Sequence, residues 1–474
     1  MILGAAVVNA ALRGPWLDEF WTLELSDSRH GLLALIQDGW LRDAHPPLFN
    51  AWATLLAALG IDSIAAGRLV SNLLAAGLML LAARRLARRM PGPAGFTAAL
   101  LLLVLSLPPA IEAFATYRSY FWQIAAMTIL VLVARHVAWA RADLDLRRDA
   151  EMAAIAAMAT AASIGLHYIG GLFGGLLAGA IALSAHRRGL RRWAHLMLAT
   201  TALASGLIAA MVLLQFPNWA AEFDHSWINL PGLQALGVPA SLALVAIAHN
   251  PLAFAGLRLG PAGRNAAERR FLAMVGGALV VGVALILAGH AFKPIVVERY
   301  LCAVPVLVSA LMAVPAARLV RTPRLFGLMA LVSMAAAVGP LVHSGIKPLW
   351  NEDARAIASI VAGCPTTRIY AVSGWALGPA AGTRTARRED PVFERAYRLL
   401  AERHGYSVGY IGRNGTAHAT PGPCPVLLWY EHTPNAAEDD LAAAVEESGL
   451  TGLEEARLSV IRSDTGFVVR ADRQ

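Results

Sequence analysis

The chain has 474 residues, 57% of them hydrophobic and only 15% charged, with a mean hydropathy of +0.54. Soluble globular chains carry about 25% charged residues, so composition excludes a soluble enzyme and indicates a polytopic membrane protein. The net charge of +8 does not imply a nucleic-acid partner: residues 1–343 hold 26 basic and 16 acidic side chains and residues 344–474 hold 14 and 16, and the basic excess falls in short clusters between apolar runs, which is a topology signal.

In chain order the apolar runs are 1–14, 64–83, 94–110, 119–138, 150–167, 170–185, 194–216, 235–257, 271–289, 301–317 and 325–343. Most approach the roughly 18–20 residues that cross about 30 Å of hydrocarbon as helix, which predicts about eleven transmembrane helices. The first run is short: about 12 residues reach only about 18 Å. Either its helix continues toward Trp16 or the start lies upstream. Arg84, Arg85, Arg88 and Arg89 follow the second run, and similar clusters follow the fourth, sixth, eighth and tenth. The positive-inside rule makes those loops cytoplasmic. The N-terminus is then cytoplasmic and, with an odd count, the C-terminus lies outside.

This topology puts 15–63 on the outer face. "RHGLLALIQDGWLRD" reads as an amphipathic interfacial helix. "PPLFNAWATLLAALG", too short to span, reads as a second one begun by Pro46 and Pro47. From 344 the composition changes. "WNEDARAIASIVAGC", "FERAYRLLAERHG" and "AAEDDLAAAVEESG" read as helices, "RIYAVS" and "PVLLWYEH" as strands, and "RLSVIRSDTGFVVRAD" as a terminal hairpin. The expected fold is an all-α transmembrane domain, 1–343, with a small α/β extracytoplasmic domain, 344–474. Cys302 falls within a span; Cys364 and Cys424 fall in the outer domain, where an oxidising compartment permits a disulfide between them.

Ionisable groups are scarce inside the spans and gather at their outer ends: Asp18 and Glu19; His45 before Pro46 and Pro47; Glu112 with Tyr117, Arg118 and Tyr120; Lys293 with Glu298, Arg299 and Tyr300. A transporter gathers such groups near the midplane on broken helices, for which His249-Asn250-Pro251 is the one candidate, and a Pro kink with locally satisfied polar groups explains that triplet better. A surface enzyme gathers them at one interface. Sugar transfer from a lipid phosphate suits the set. The phosphate is a good leaving group and needs cations, while the acceptor hydroxyl needs a carboxylate base.

"WLDEFWT", "HPPLFNAW" and "GRLVSNLLAAGLMLLAARRLARR", followed by "PPAIEAFATYRSYFW" and "KPIVVERYLCAVPVL", resemble the C-type (GT-C) membrane glycosyltransferases. More narrowly, they resemble the bacterial relatives of dolichyl-phosphate-mannose protein mannosyltransferases and of lipid A aminoarabinose transferase. The resemblance covers about residues 1–345. It implies an inverting glycosyltransferase of the bacterial inner membrane. Such an enzyme moves a hexosyl or pentosyl group from a polyprenyl-phosphate donor to a glycolipid, polysaccharide or protein hydroxyl at the periplasmic face. It makes Asp18 a catalytic base or metal ligand and Glu19 its partner or a loop-orienting group. Glu112 becomes a second catalytic or metal-site carboxylate. His45, Arg118, Arg299 and Lys293 become donor-phosphate cations. Tyr117, Tyr120 and Tyr300 become sugar-pocket walls or members of an interfacial belt. A divalent cation, Mg²⁺ or Mn²⁺, is left open as cofactor. A multi-pass permease for a sugar or lipid and a non-catalytic assembly or receptor subunit are the alternative readings.

Overall fold

A computed structural model describes residues 2–43, 45–89, 95–140, 150–222, 232–259, 266–292, 294–372, 390–412, 415–431 and 441–474. It divides into two compact units, one built from Met1–Ala11 and Ser28–Gly345, the other from Leu12–Asp27 and Ile346–Gln474.

The first unit is helical. Among the described residues seven helices are long and apolar enough to cross a membrane: Ile64–Arg89, Tyr120–Trp139, Tyr168–Arg187, Arg191–Pro217, Ala266–Phe292, Glu298–Leu319 and Pro323–Ile346. Two bent pairs raise the number to nine. The expected count of eleven is not confirmed among the described residues. The run 1–14 forms only Ile2–Leu12, ended at Gly14-Pro15, and 150–167 forms only Ala150–Gly165, both shorter than a span. The run 94–110 breaks into Gly95–Leu105 and Pro108–Phe114, bent by 71°, and 235–257 breaks at Asn250-Pro251, bent by 67°. Proline accounts for each bend, since its ring clashes with the preceding turn and it lacks an N–H. At the second break the Ser333 hydroxyl donates to Asn250 Oδ1, giving the joint a packed polar contact.

Tyr120–Trp139 and Glu298–Leu319 are mostly buried within the unit, whereas Arg191–Pro217 and Pro323–Ile346 are mostly uncovered. Uncovered apolar faces of this kind suit lipid contact. The segment expected as one amphipathic helix is instead a succession of short turns, Leu32–Ala34, a π-helical turn Leu35–Gly39 and a 3-10 turn Trp40–Arg42. Leu48–Ala58 forms the second helix, with Pro47 as its N-cap residue.

The second unit contains strands β1 (Arg368–Val372), β2 (Gly409–Ile411), β3 (Ala417–His418), β4 (Val426–Glu431), β5 (Leu450–Thr451), β6 (Ala456–Arg462) and β7 (Gly466–Arg473). Five of them form a mixed sheet in the order β2-β1-β4-β7-β6, and β3 pairs with β5. β1 runs parallel to β2 and β4, while β7 is antiparallel to β4 and β6. Every residue of β4 is buried, as expected of a strand covered on both faces. The helices Asn351–Gly363, Asp390–Arg403 and Leu441–Glu447 complete the α/β arrangement. Cys364 and Cys424 form a disulfide with their Cα atoms 5.6 Å apart.

Leu12–Asp27 groups with this unit rather than with the helices that follow it. Main-chain bonds tie Gly14 to Lys347 and Trp350 to Pro15, and the Phe20 ring lies 5.3 Å from that of Trp350. Arg395 pairs with Glu24 at 3.1 Å and Asp27 at 3.0 Å.

Candidate active site

Four connecting segments of the first unit meet around His45. The first ends in Asp43-Ala44-His45. Asp43 Oδ1 lies 3.3 Å from His45 Nδ1, and Asn50 Nδ2 donates to Asp43 Oδ2 at 3.0 Å. An Nδ1–H donating to this carboxylate orients the ring so that Nε2 points away from Asp43. Gln215 holds the same segment from the helix Arg191–Glu222: its Nε2 donates to the carbonyls of Trp40 at 2.7 Å and His45 at 3.1 Å, while its Oε1 accepts from the Tyr168 hydroxyl.

The second segment carries Tyr117, Arg118 and Tyr120. Asn72 Nδ2 donates to the carbonyls of Phe114 and Thr116, each at 2.8 Å, fixing the peptide just before Arg118. Gly67 makes room for the Tyr117 ring, because a Cβ there would lie 2.7 Å from it. Arg118 Nη2 is 3.3 Å from both nitrogens of His45. Equal distances place the guanidinium over the imidazole face rather than in its plane. Arg118, Tyr117 and Tyr120 are all buried.

The third segment, between Gly165 and Tyr168, contributes His167. The fourth contributes Arg299 and Tyr300 on the 3-10 turn Glu298–Leu301, with the peptide before it anchored by the Ile295 and Val296 N–H groups donating to His290 Nδ1 at 3.0 and 3.1 Å. The Tyr300 ring lies 4.9 Å from His167, 6.0 Å from His45 and 6.4 Å from Tyr120, and the Arg299 guanidinium sits 5.3 Å from the Tyr300 centroid.

The cluster's electrostatics follow from this crowding. Burial alone would raise the Asp43 pKa, but His45, Arg118 and the Asn50 hydrogen bond together hold it well below the usual carboxylate range. His167 goes the other way: burial first, then the nearby charges of His45, Arg118 and Arg299, push its pKa well below the usual imidazole value. It is a neutral ring among cations. Positive charge gathered from buried Arg118 and half-buried Arg299 matches an anionic ligand.

Of the sequence-derived candidates, the structure brings together His45, Arg118, Tyr120, Arg299 and Tyr300. Tyr117 packs beside them on Phe49, with ring centroids 5.7 Å apart. Lys293 lies outside the described residues. Glu112 is exposed on Pro108–Phe114. Asp18 and Glu19 belong to the second unit, in the first turn of Leu17–Leu25. Glu19 is fully buried, and its carboxylate accepts the Trp16 N–H at 3.3 Å; of its two readings this geometry supplies the loop-orienting one. Asp18 is half-buried. Among the described residues no three His, Cys, Asp or Glu side chains gather as metal ligands. Sequence reading missed Asp43, Asn50, His167, Gln215 and His290.

No protein-family description matches the chain, and no curated protein matches it. Among solved structures, ArnT from Cupriavidus metallidurans bound to undecaprenyl phosphate aligns with a TM-score of 0.56 and 14% identity, over 99% of this chain and 96% of that one. The chain has the ArnT fold. The apo structure of the same ArnT gives a TM-score of 0.53 over the same shares. ArnT is a lipid A aminoarabinose transferase of GT-C fold, the fold that the first-loop motifs suggest. At this identity ArnT speaks for the fold, and the site must be argued from its residues.

Proposed function

We propose that this chain is a glycosyltransferase that moves a sugar from a polyprenyl-phosphate donor to an acceptor hydroxyl at the outer face of the bacterial inner membrane, with 344–474 as a periplasmic domain. The observation that carries the reading is the meeting of half-buried His45, Arg299 and Tyr300 with buried Arg118, from separate connecting segments at the ends of apolar helices. Such a site offers positive charge to a phosphate. The undecaprenyl phosphate held by ArnT is a ligand of the matching chemistry.

In this reading the acceptor oxygen attacks the anomeric carbon, the bond from that carbon to the phosphate oxygen breaks, and the electron pair leaves with the lipid phosphate. His45 and Arg118 stabilise the charge that develops there, worth on the order of 3–4 kcal/mol for a well-placed donor. Asp43 fixes the His45 ring. Asp18 takes the acceptor proton, the role implied by the motif resemblance, and attack opposite the leaving phosphate inverts the anomeric centre. Lipid and glycan profiling of a deletion strain tests the proposal. A sugar-loaded polyprenyl phosphate should accumulate, and Arg118→Ala should fail to clear it. A strain with unchanged carriers, or sugar flux through proteoliposomes of the purified chain, would instead favour the permease alternative.

A further inference from the structure

His167 is 3% exposed. It is the N-cap residue of Tyr168–Arg187, with extended backbone (φ −158°, ψ 133°), and the Gly170 N–H donates to its Nδ1 at 3.4 Å. A cap of this kind needs the Nδ1 lone pair. A neutral imidazole then carries its proton on Nε2, the ring edge facing away from its own helix. That Nε2 is buried and has no hydrogen-bond partner among the described residues. Around the ring stand His45 at 5.6 Å, Tyr120 at 5.9 Å and Tyr300 at 4.9 Å. A buried donor without an acceptor is costly, and this one lies near the guanidinium groups of Arg118 and Arg299.

We propose that His167 is a ligand-contact residue whose Nε2–H donates to a phosphate oxygen of the lipid-linked donor. The inference rests on the lipid-phosphate reading above and extends it. A neutral donor beside two guanidinium groups adds a hydrogen bond to the anion without adding a third repelling charge, and the helix cap keeps the proton on the nitrogen that faces the cluster.

The test uses the full chain in nanodiscs with three probes: undecaprenyl phosphate, uncharged undecaprenol and inorganic phosphate as competitor. His167→Ser and His167→Asn keep a capping oxygen and remove the distant donor; His167→Gln keeps an amide N–H on a longer side chain. Expected are about tenfold weaker binding of undecaprenyl phosphate by the Ser and Asn variants, binding by the Gln variant within about threefold of wild type, unchanged undecaprenol binding, and proportionally weaker competition by inorganic phosphate. Wild-type binding by the Ser and Asn variants, while Arg118→Ala weakens it, overturns the role of His167 alone. Equal losses for undecaprenol overturn it too, since packing would then be the cause. A wild-type chain that binds no undecaprenyl phosphate overturns the lipid-phosphate reading and this inference together.

Discussion

Two ionisable clusters, one in each compact unit, are built on opposite principles. In the second unit Glu431 and Asp353 are both buried, and every carboxylate contact is internal. Glu431 accepts from Trp429 Nε1 at 3.1 Å and from the Thr465 hydroxyl at 2.9 Å, while Asp353 accepts from the Ser463 hydroxyl at 2.7 Å. Burial first, and then Asp353, pushes the Glu431 pKa well up, so Glu431 is the member of the pair that keeps a proton. Around His45 one carboxylate, Asp43, faces the two guanidinium groups of Arg118 and Arg299, and the donor on His167 has no partner among the described residues. A closed network specifies a core; one that ends in an unmatched donor specifies what it is to bind.

This contrast can be broken at either end. Asp18→Asn carries the largest expected effect, a loss of transfer of about a thousandfold with an unchanged melting temperature, because a missing base removes roughly 10²–10⁴ in rate; retained transfer in membrane preparations removes Asp18 from the chemistry. In the closed network, Glu431→Ala strands Asp353 and should destabilise the fold by about 3 kcal/mol, read by thermal unfolding, while transfer at low temperature survives. Arg118→Ala should do the converse and lower transfer about a hundredfold while shifting melting by only a few degrees.

A smaller effect comes from pH. Asp353 is raised from the usual 3.8 to about 6, by burial first. A carboxyl with a raised folded-state pKa binds its proton more tightly when folded. Its stabilisation is full below about pH 4 and is lost as pH rises through about 6. At about 1.4 kcal/mol per pKa unit the swing is at most a few kcal/mol. Protection of the amides along Val426–Glu431 in the full-length chain, corrected for the base-catalysed intrinsic exchange rate, should therefore fall between pH 4 and pH 7, and Asp353→Asn should flatten that fall; protection that stays constant across this range would show the pair to be a pH-independent core element.

Much of the fold was legible because its signals are physical constraints. Apolar length marked the spans and short runs of aliphatic and aromatic residues marked β1 and β4, while β2, Gly409–Ile411, is too short to carry a pattern. The span count is not confirmed because the helices at 1–14 and 150–167 have the right composition but fall short of a full span's length. In the site, His45, Arg118 and Arg299 were legible because charge is rare beside membrane helices. His167 was not, since it stands alone between two apolar runs, and Gln215 was hidden inside one. Asp43 read as the polar face of an amphipathic helix that instead forms irregular turns, and nothing in its spacing pointed to His45.

The absence of a single methyl group at position 67 governs more than one turn of helix. The phenol ring of Tyr117 fills the space a side chain would need, so even alanine there must displace the ring, and the adjoining peptide carries Arg118. Selection acting on an anion-binding guanidinium thus reaches back some fifty residues, to a codon whose product touches no ligand at all.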